Sequence, residues 1–390
     1  MTDDRAAGGA APADDSAVRA KTMAAYWRSM SPQRFIDGNV RFADLLHMQR
    51  MTSPVAADPA GEGLDWDAAA ERLGDENLRK AEAYLAAGGT TSAINTLRAA
   101  VGDYIFAQMP LDDTDRKREL YAKLTETMRL LASIPEARTT RIEVPFGDGN
   151  LIGWLVVPEG EPRGGVVTFG GQSGWGPFYT KNALAMASRG IATFLVEGPG
   201  QGETRLEQGI YLDVDVAGAF SRFVDVLDEL LPEISRRADG RKPIGIWGNS
   251  LGGLFAATAA ARDDRIVACC VNSGIAEPRL LGMRTFDEQA EQMLGSRDPE
   301  AIDANLRRIS FTPDMRMSAD LFVIHGTRDP IVKLEDILPF LEGADPDRRR
   351  IKIWEGGDHT IYNHGDERND LVSDWFLEVF EGDETRGARS

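Results

Sequence analysis

Apolar side chains change their period along this chain near residue 138. Before that point they recur at helical spacing. Ser31-Pro32 has the form of an N-cap followed by a first-turn proline and predicts a helix running toward His47. Asp65 stands ahead of a second helical stretch that stops at Gly88-Gly89. Thr91 or Ser92 opens a third, with Ile94, Leu97, Val101, Tyr104 and Ile105 on one face and Pro110 as its stop. Leu120, Leu124, Met128 and Leu131 repeat the pattern until Pro135. Residues 51–63, rich in Ala, Gly, Pro and Ser, predict a loop. No strand candidate lies between about residues 17 and 135.

Beyond residue 138 the pattern shortens. Thr140–Val144 and Leu151–Val157 flank Gly147-Asp148-Gly149-Asn150 and predict a hairpin. Short apolar runs follow at Gly165–Phe169, Ala192–Val196, Ile244–Trp247, Ile266–Val271, Leu321–Ile324 and Ile351–Trp354. Helical stretches separate most of them; Val214–Leu231 is one, with Val216, Phe220, Phe223, Val224, Leu227 and Leu230 on a single face. Alternation of short buried strands with helices predicts an α/β fold, a mostly parallel sheet covered on both faces. The expected organisation is a disordered tail over 1–16, a helical region over 17–137 and an α/β region over 138–390, with a helical insert at about 274–319.

Length and charge narrow the function classes. The chain has 390 residues, 44 Lys and Arg against 62 Asp and Glu, and a net charge of −18. Nucleic acid and anionic membrane need cationic surface, so neither is expected as a partner. The uncharged stretch Ile244–Ala261 approaches membrane-span length, but Gly245, Gly248, Gly252 and Gly253 interrupt it, and it reads as strand, turn and small-residue helix. The first 16 residues have no apolar run and are unlike a signal peptide. Cys269 and Cys270 are adjacent, a poor geometry for a disulfide, and read as buried apolar residues of a cytoplasmic protein.

The strongest chemical signal is Gly248-Asn249-Ser250-Leu251-Gly252, which follows one predicted strand and opens a helix. That context is what a nucleophile elbow requires; the plain alternative is a glycine-rich turn with an inert serine. A serine needs a base and an acid, in the chain order Ser, acid, His. Asp329 and His359 satisfy it, each just beyond a predicted strand, so that all three meet at one sheet edge. His325, His364 and His47 are weaker candidates for the base: the first ends a buried strand, the second lies five residues past His359 and the third belongs to the helical region. Asp358 competes for the acid role from an awkward adjacent position, and a metal site from Asp358, His359 and His364 is not expected. Oxyanion donors are expected from the Leu251 N–H and from the loop Phe169–Gly176, with Gln172 first and Gly171 second. Glu197 and Glu203, in a second glycine-rich loop, read as bracing residues ahead of acid–base roles. Trp175, Phe178 and Tyr179 are pocket candidates by position.

The elbow, the Asp329 and His359 segments, the Gly170-Gly171 loop and Glu197-Gly198-Pro199-Gly200-Gln201-Gly202-Glu203 together resemble the α/β-hydrolase superfamily. The last loop and the helical region ahead of it resemble the group of 2,6-dihydroxypseudooxynicotine hydrolases and fungal polyketide chain-shortening hydrolases, over roughly residues 20 to 385. The fermentation-respiration switch group is more distantly similar. The resemblance implies a cofactor-free serine hydrolase of a small molecule that cleaves carbon–carbon bonds beside a ketone, with the N-terminal helices as a cap and a homodimer as the assembly. It also implies a further acidic residue used in carbon–carbon cleavage, for which Glu277 and Asp287, downstream of Ser250, are only candidates. One departure is Glu197, where the group carries an aspartate; it affects a bracing position. The same triad would cleave an ester or amide, which makes a carboxylesterase or amidase the alternative. A non-catalytic binding protein on this fold is a third reading, against which the intact Ser250, Asp329 and His359 set argues.

Overall fold

A computed structural model describes residues 15–54, 60–230, 236–282 and 284–382. Among them, helices alone precede the first strand: α1 (Asp15–Ser29), α2 (Pro32–Asp37), α3 (Phe42–Thr52), α4 (Trp66–Ala86), α5 (Thr90–Gln108) and α6 (Asp115–Ala132). Ser31 caps α2 through its hydroxyl, which accepts from the Arg34 amide. The helix expected to run on toward His47 is broken instead, because Asn39 turns left-handed at a φ of 72° and separates α2 from α3. The tail expected over 1–16 lies outside the described residues up to residue 14; Asp15 and Ser16 already belong to α1. The loop expected over 51–63 begins only after α3 ends at Thr52, and residues 55–59 of it lie outside the described ones.

The strands are β1 (Thr139–Phe146), β2 (Gly149–Val156), β3 (Gly164–Phe169), β4 (Ile191–Glu197), β5 (Ile244–Asn249), β6 (Ile266–Asn272), β7 (Asp320–Gly326) and β8 (Arg349–Trp354). They form one sheet in the order β1-β2-β4-β3-β5-β6-β7-β8. The expected hairpin pairs β1 with β2, and β2 pairs antiparallel with β4; every other pairing is parallel. β3, β4, β5 and β6 are buried along their whole length, as central parallel strands covered on both faces must be. Cys269 and Cys270 are free thiols buried within β6.

The remaining helices are α7 (Thr180–Ala187), α8 (Gly202–Leu206), α9 (Val216–Leu230), α10 (Leu251–Ala260), α11 (Arg284–Leu294), α12 (Pro299–Ile309), α13 (Leu334–Glu342) and α14 (Gly365–Glu381). Phe220 and Phe223 of α9, Leu254 and Phe255 of α10, Ile302 of α12 and Ile337 of α13 share a core with one face of the sheet. Met186 of α7 and Trp375, Phe376 and Phe380 of α14 cover the other. The N-terminal helices build a third core that is continuous with Trp154 of β2, Leu195 of β4 and the Trp175–Tyr179 segment after β3.

A buried ion pair ties α2 to α14. Arg368 donates from Nη2 to both carboxylate oxygens of Asp37, at 3.0 and 2.9 Å, and both side chains are shut off from solvent. Removing one partner of such a pair strands a charge in a low-dielectric interior, at a cost of about 3–5 kcal/mol. Arg368→Met is therefore expected to lower the unfolding free energy by about that amount, and adding Asp37→Asn to restore most of it. Urea unfolding of the two variants against the parent checks both statements.

Candidate active site

Parallel strands present their carboxyl ends along one edge, and the loops after β3, β5, β6, β7 and β8 meet there. Between β5 and α10 the chain turns sharply, with Ser250 at φ 58° and ψ −132°, a conformation that L-residues hold only when their surroundings enforce it. The Ser250 amide donates to the Asn272 carbonyl at 2.8 Å and pins the turn to the end of β6. A side chain at Gly252 would begin 2.5 Å from the Gly170 carbonyl, which is why the residue two past the serine has none.

Ser250 Oγ lies 2.9 Å from His359 Nε2, and His359 Nδ1 lies 2.8 Å from Asp329 Oδ2. The Asp329 side chain has no solvent exposure and the His359 ring retains 15 %. The other carboxylate oxygen, Asp329 Oδ1, accepts from the Ile331 and Val332 amides at 2.8 and 3.0 Å. Burial pushes the Asp329 carboxyl up, but the His359 imidazole and the two amides outweigh it and hold the group below the usual carboxylate range. A charged acid thus faces the imidazole, whose far nitrogen faces the hydroxyl.

The loop that carries His359 is strained. Thr360 and Ile361 sit at φ 58° and 60°, left-handed and β-branched. A buried polar chain holds them. The Thr360 amide donates to Ser273 Oγ at 2.9 Å, and its carbonyl accepts from Asn272 Nδ2 at 3.0 Å and Arg368 Nη1 at 2.7 Å. Asn272 Nδ2 also donates to Asn249 Oδ1 at 2.9 Å, and Asn249 Nδ2 donates to the Phe169 carbonyl at 3.1 Å. One chain of contacts therefore joins the end of β3, the elbow, the end of β6, the His359 loop and α14.

The loop after β3 lies directly against the start of α10: a side chain at Gly171 would begin 2.7 Å from the Leu251 nitrogen. The Gly171 carbonyl accepts from Trp175 Nε1 at 3.2 Å and Gln201 Nε2 at 3.0 Å. Gln201 Nε2 also donates to the Gly170 carbonyl at 2.6 Å, and its Oε1 accepts from the Gly198 amide at 2.9 Å. Carbonyl and N–H point oppositely across a trans peptide, so the Gln172 N–H is aimed away from Trp175 and Gln201. Gln172 lines, with Ser250, both cavities of the site.

One cavity, of about 360 Å³, runs from Ser250 and His359 past Tyr179, Asp358 and Tyr362 to Arg28, Ser29, Ser31 and Arg34 of the N-terminal segment. The other, of about 40 Å³, is narrow and apolar, walled by Leu212, Ile275, Met293, Leu294 and Leu306. Ser250 lines both.

Other anticipated residues lie elsewhere. Trp175 is buried off the cavities, with the Arg205 guanidinium 5.1 Å and the Lys117 ammonium 5.6 Å from its ring centre. Phe178 packs against Phe106 and Tyr362, while Tyr179 does line the wider cavity. Glu277 is exposed, because the chain there leaves the sheet edge between Ile275 and Pro278, and it lines neither cavity. Asp287 accepts from the Leu281 amide at 2.8 Å. Asp358 bonds the Asn363 amide at 3.2 Å in place of the His359 ring, and burial pushes its carboxyl up. His325 is buried, and burial pushes its imidazole down. His364 stacks on Trp354, 5.6 Å between centres, and His47 is exposed. Among the described residues no three His, Cys, Asp or Glu side chains converge as a metal site, and no helix is long and apolar enough to cross a membrane. Asn249, Asn272, Gln201 and Arg34 escaped the sequence reading. Asn249 and Gln201 stood inside the quoted motifs; nothing marked the other two.

The sheet order, the elbow and the neighbouring loops define an α/β-hydrolase. The chain belongs to the prolyl oligopeptidase family, whose model matches residues 177–383. The 2,6-dihydropseudooxynicotine hydrolase of Paenarthrobacter nicotinovorans is 24 % identical over 312 residues, 79 % of this chain and 82 % of that protein. The alpha/beta hydrolase ucsC of an Acremonium species is 29 % identical over 219 residues, and the hydrolyase poxO of Penicillium oxalicum 28 % over 204. These two matches span 52 % and 51 % of this chain and 44 % and 48 % of the relatives. The crystal structure of a 2,6-dihydroxy-pseudo-oxynicotine hydrolase superposes with a TM-score of 0.78 at 23 % identity, covering 90 % of this chain and 96 % of that one. AbyA5 superposes with a TM-score of 0.62 at 18 % identity, covering 93 % and 99 %. The chain is a hydrolase.

Glu197, at the end of β4, lies against Gly176 at the far end of the loop after β3, where an added side chain would begin 2.8 Å from its carboxylate. It accepts from Tyr121 Oη at 2.5 Å and from the Glu203 amide at 2.6 Å, and is wholly buried. Burial pushes its carboxyl up, the Tyr121 hydroxyl opposes, Glu203 adds repulsion, and the result is about 7. In the unfolded chain a glutamate releases its proton near pH 4.3. Between these values the folded protein holds a proton that the unfolded chain has lost, so stability falls as pH rises from about 4.5 to 7. Glu197→Gln removes that loss. Its stability relative to the parent is expected to rise by about 3 kcal/mol across the window, whatever its constant offset, in denaturant titrations at stepped pH.

Proposed function

We propose that this hydrolase uses Ser250 as nucleophile, His359 as general base and acid and Asp329 as the group that orients the imidazole, and that it cleaves a carbon–carbon bond beside a ketone. The observation that carries the reading is the continuous hydrogen-bonded line from Asp329 through His359 to Ser250, opening on the wider cavity. Ser250 Oγ would add to the ketone carbon as His359 takes its proton. The oxyanion would receive the Leu251 and Gln172 amides. Collapse would break the carbon–carbon bond, and its electron pair, leaving as an enolate or an electron-rich arene, would take the proton from His359. Water, deprotonated by the same imidazole, would release the acyl group as an acid. The relatives named for pseudooxynicotine hydrolysis favour this bond over an ester or amide.

Arg28, Ser29, Ser31 and Arg34 on the cavity wall support reading the helices before residue 137 as a cap over a small-molecule site. A homodimer in the cytoplasm completes the proposal.

Ser250→Ala is expected to lose activity on the order of 10⁶-fold with the fold retained. Mass spectrometry of products from an aryl β-diketone and the matching aryl ester, given to both proteins, tests the bond. Ketone cleavage by the parent alone supports carbon–carbon hydrolysis; ester turnover alone moves the chain to the esterase alternative. Retention of activity in the variant removes the serine from the mechanism.

Gln201 lines neither cavity and bears on the site through the Gly170 and Gly171 peptides that its amide holds. Gln201→Leu is expected to lower kcat about 10- to 100-fold with KM nearly unchanged, because a mis-aimed donor weakens the transition state and leaves the cavity walls in place. Loss of folded enzyme alone would also lower the apparent kcat with KM unchanged, so kcat is normalised to active enzyme titrated by a covalent serine probe, and the drop is expected to persist after that normalisation.

A further inference from the structure

Resting on the proposal that the wider cavity receives substrate, we infer that Arg34 makes its N-terminal wall a carboxylate subsite: the substrate carries an anionic carboxyl group on the arm that fills this cavity. The chain has 62 acidic side chains, and most buried or half-buried guanidinium groups have found one. Arg116, Arg141, Arg205, Arg348 and Arg368 each face a carboxylate. Arg34 is half-buried, lines the cavity, and among the described residues has no carboxylate within 4.0 Å.

What holds Arg34 is neutral. Its Nη2 donates to Ser173 Oγ at 2.7 Å, beside the Gly171-Gln172 loop, and its guanidinium carbon lies 5.6 Å from the centre of the Tyr362 ring. These contacts set the plane of the group and leave its charge unmatched. Nε is buried and makes no hydrogen bond. Asp358 shares the cavity but is engaged with the Asn363 amide. Arg28, exposed at the same rim, adds a second positive charge. A guanidinium presents a planar fork that matches a carboxylate, and an unmatched donor in a partly desolvated cavity is satisfied best by a charged acceptor. The narrow cavity on the other side of Ser250 has apolar walls and offers no equivalent partner apart from Arg279 at its edge, which pairs with Asp336 at 2.9 Å. The two arms of the substrate are therefore distinguished by charge.

The test uses Ser250→Ala protein, which binds without turnover, titrated calorimetrically with benzoate and with benzamide. Benzoate is expected to bind about 10-fold more tightly, the share of a charge-assisted hydrogen bond. Arg34→Met in the same background is expected to abolish the preference and Arg34→Lys to keep part of it. Equal binding of the two probes overturns the subsite. So does a preference that survives Arg34→Met, which would mean that the carboxylate sits at the Leu251 and Gln172 amides instead. Arg34→Gln, which keeps the Ser173 contact, repeats the test should the methionine variant lose its thermal transition. Labelling of Ser250 in the parent by a fluorophosphonate is scored separately. Labelling without a benzoate preference removes the subsite and leaves the serine mechanism; a preference without labelling does the reverse.

Discussion

The Thr360 carbonyl accepts hydrogen bonds from both Asn272 and Arg368, and the geometry of the site follows from that junction. Two consecutive β-branched residues in the left-handed region cost on the order of 1–3 kcal/mol each. A loop left to itself would relax and carry His359 away from Ser250. The junction opposes this, because relaxation would take the carbonyl from two buried donors. Ser250 itself is held at a positive φ by the Asn272 backbone, so one residue at the end of β6 governs both strained segments. Arg368 extends the constraint to Asp37, which couples the position of the His359 loop to the seating of α2.

Two buried carboxyl groups behave oppositely for a physical reason visible in their neighbours. Asp329 and Glu197 both pay the desolvation of a charge. Asp329 faces an imidazole and two backbone amides, and stays ionised. Glu197 has a hydroxyl and one amide but lies near Glu203, and its carboxyl rises to about 7. The first arrangement keeps a fixed negative charge behind the imidazole. The second leaves the Glu197 carboxyl protonated to a much higher pH than that of Asp329.

The cavities divide along the same line between sheet and helices. The narrow one is walled by residues of the helical insert and the loops near it; the wider one ends on α1, α2 and the turn between them. Arg34 sits where the N-terminal helices meet the Gly171-Gln172 loop, through its hydrogen bond to Ser173.

By itself the sequence determined what depends on local pattern. Periodicity separated the helices from the sheet, strand by strand, and the glycines around Ser250 required a sharp turn, because close backbone approach leaves no room for side chains at Gly171 or Gly252. Chain order placed Asp329 and His359 beyond strand ends, where parallel strands must deliver them to one edge. The break at Asn39 was marked by Gly38-Asn39, a pair that ends helices because both residues enter the left-handed region at little cost, but the apolar spacing toward His47 masked it. Arg368 and Asp37 are 331 residues apart in hydrogen-bonded contact, and no motif marks either. The same holds for Arg34, whose unmatched charge is a property of what surrounds it. Only the tertiary structure decides which charges are paired, because pairing depends on distances between elements remote in the chain, whereas strand, helix and turn depend on neighbours along it.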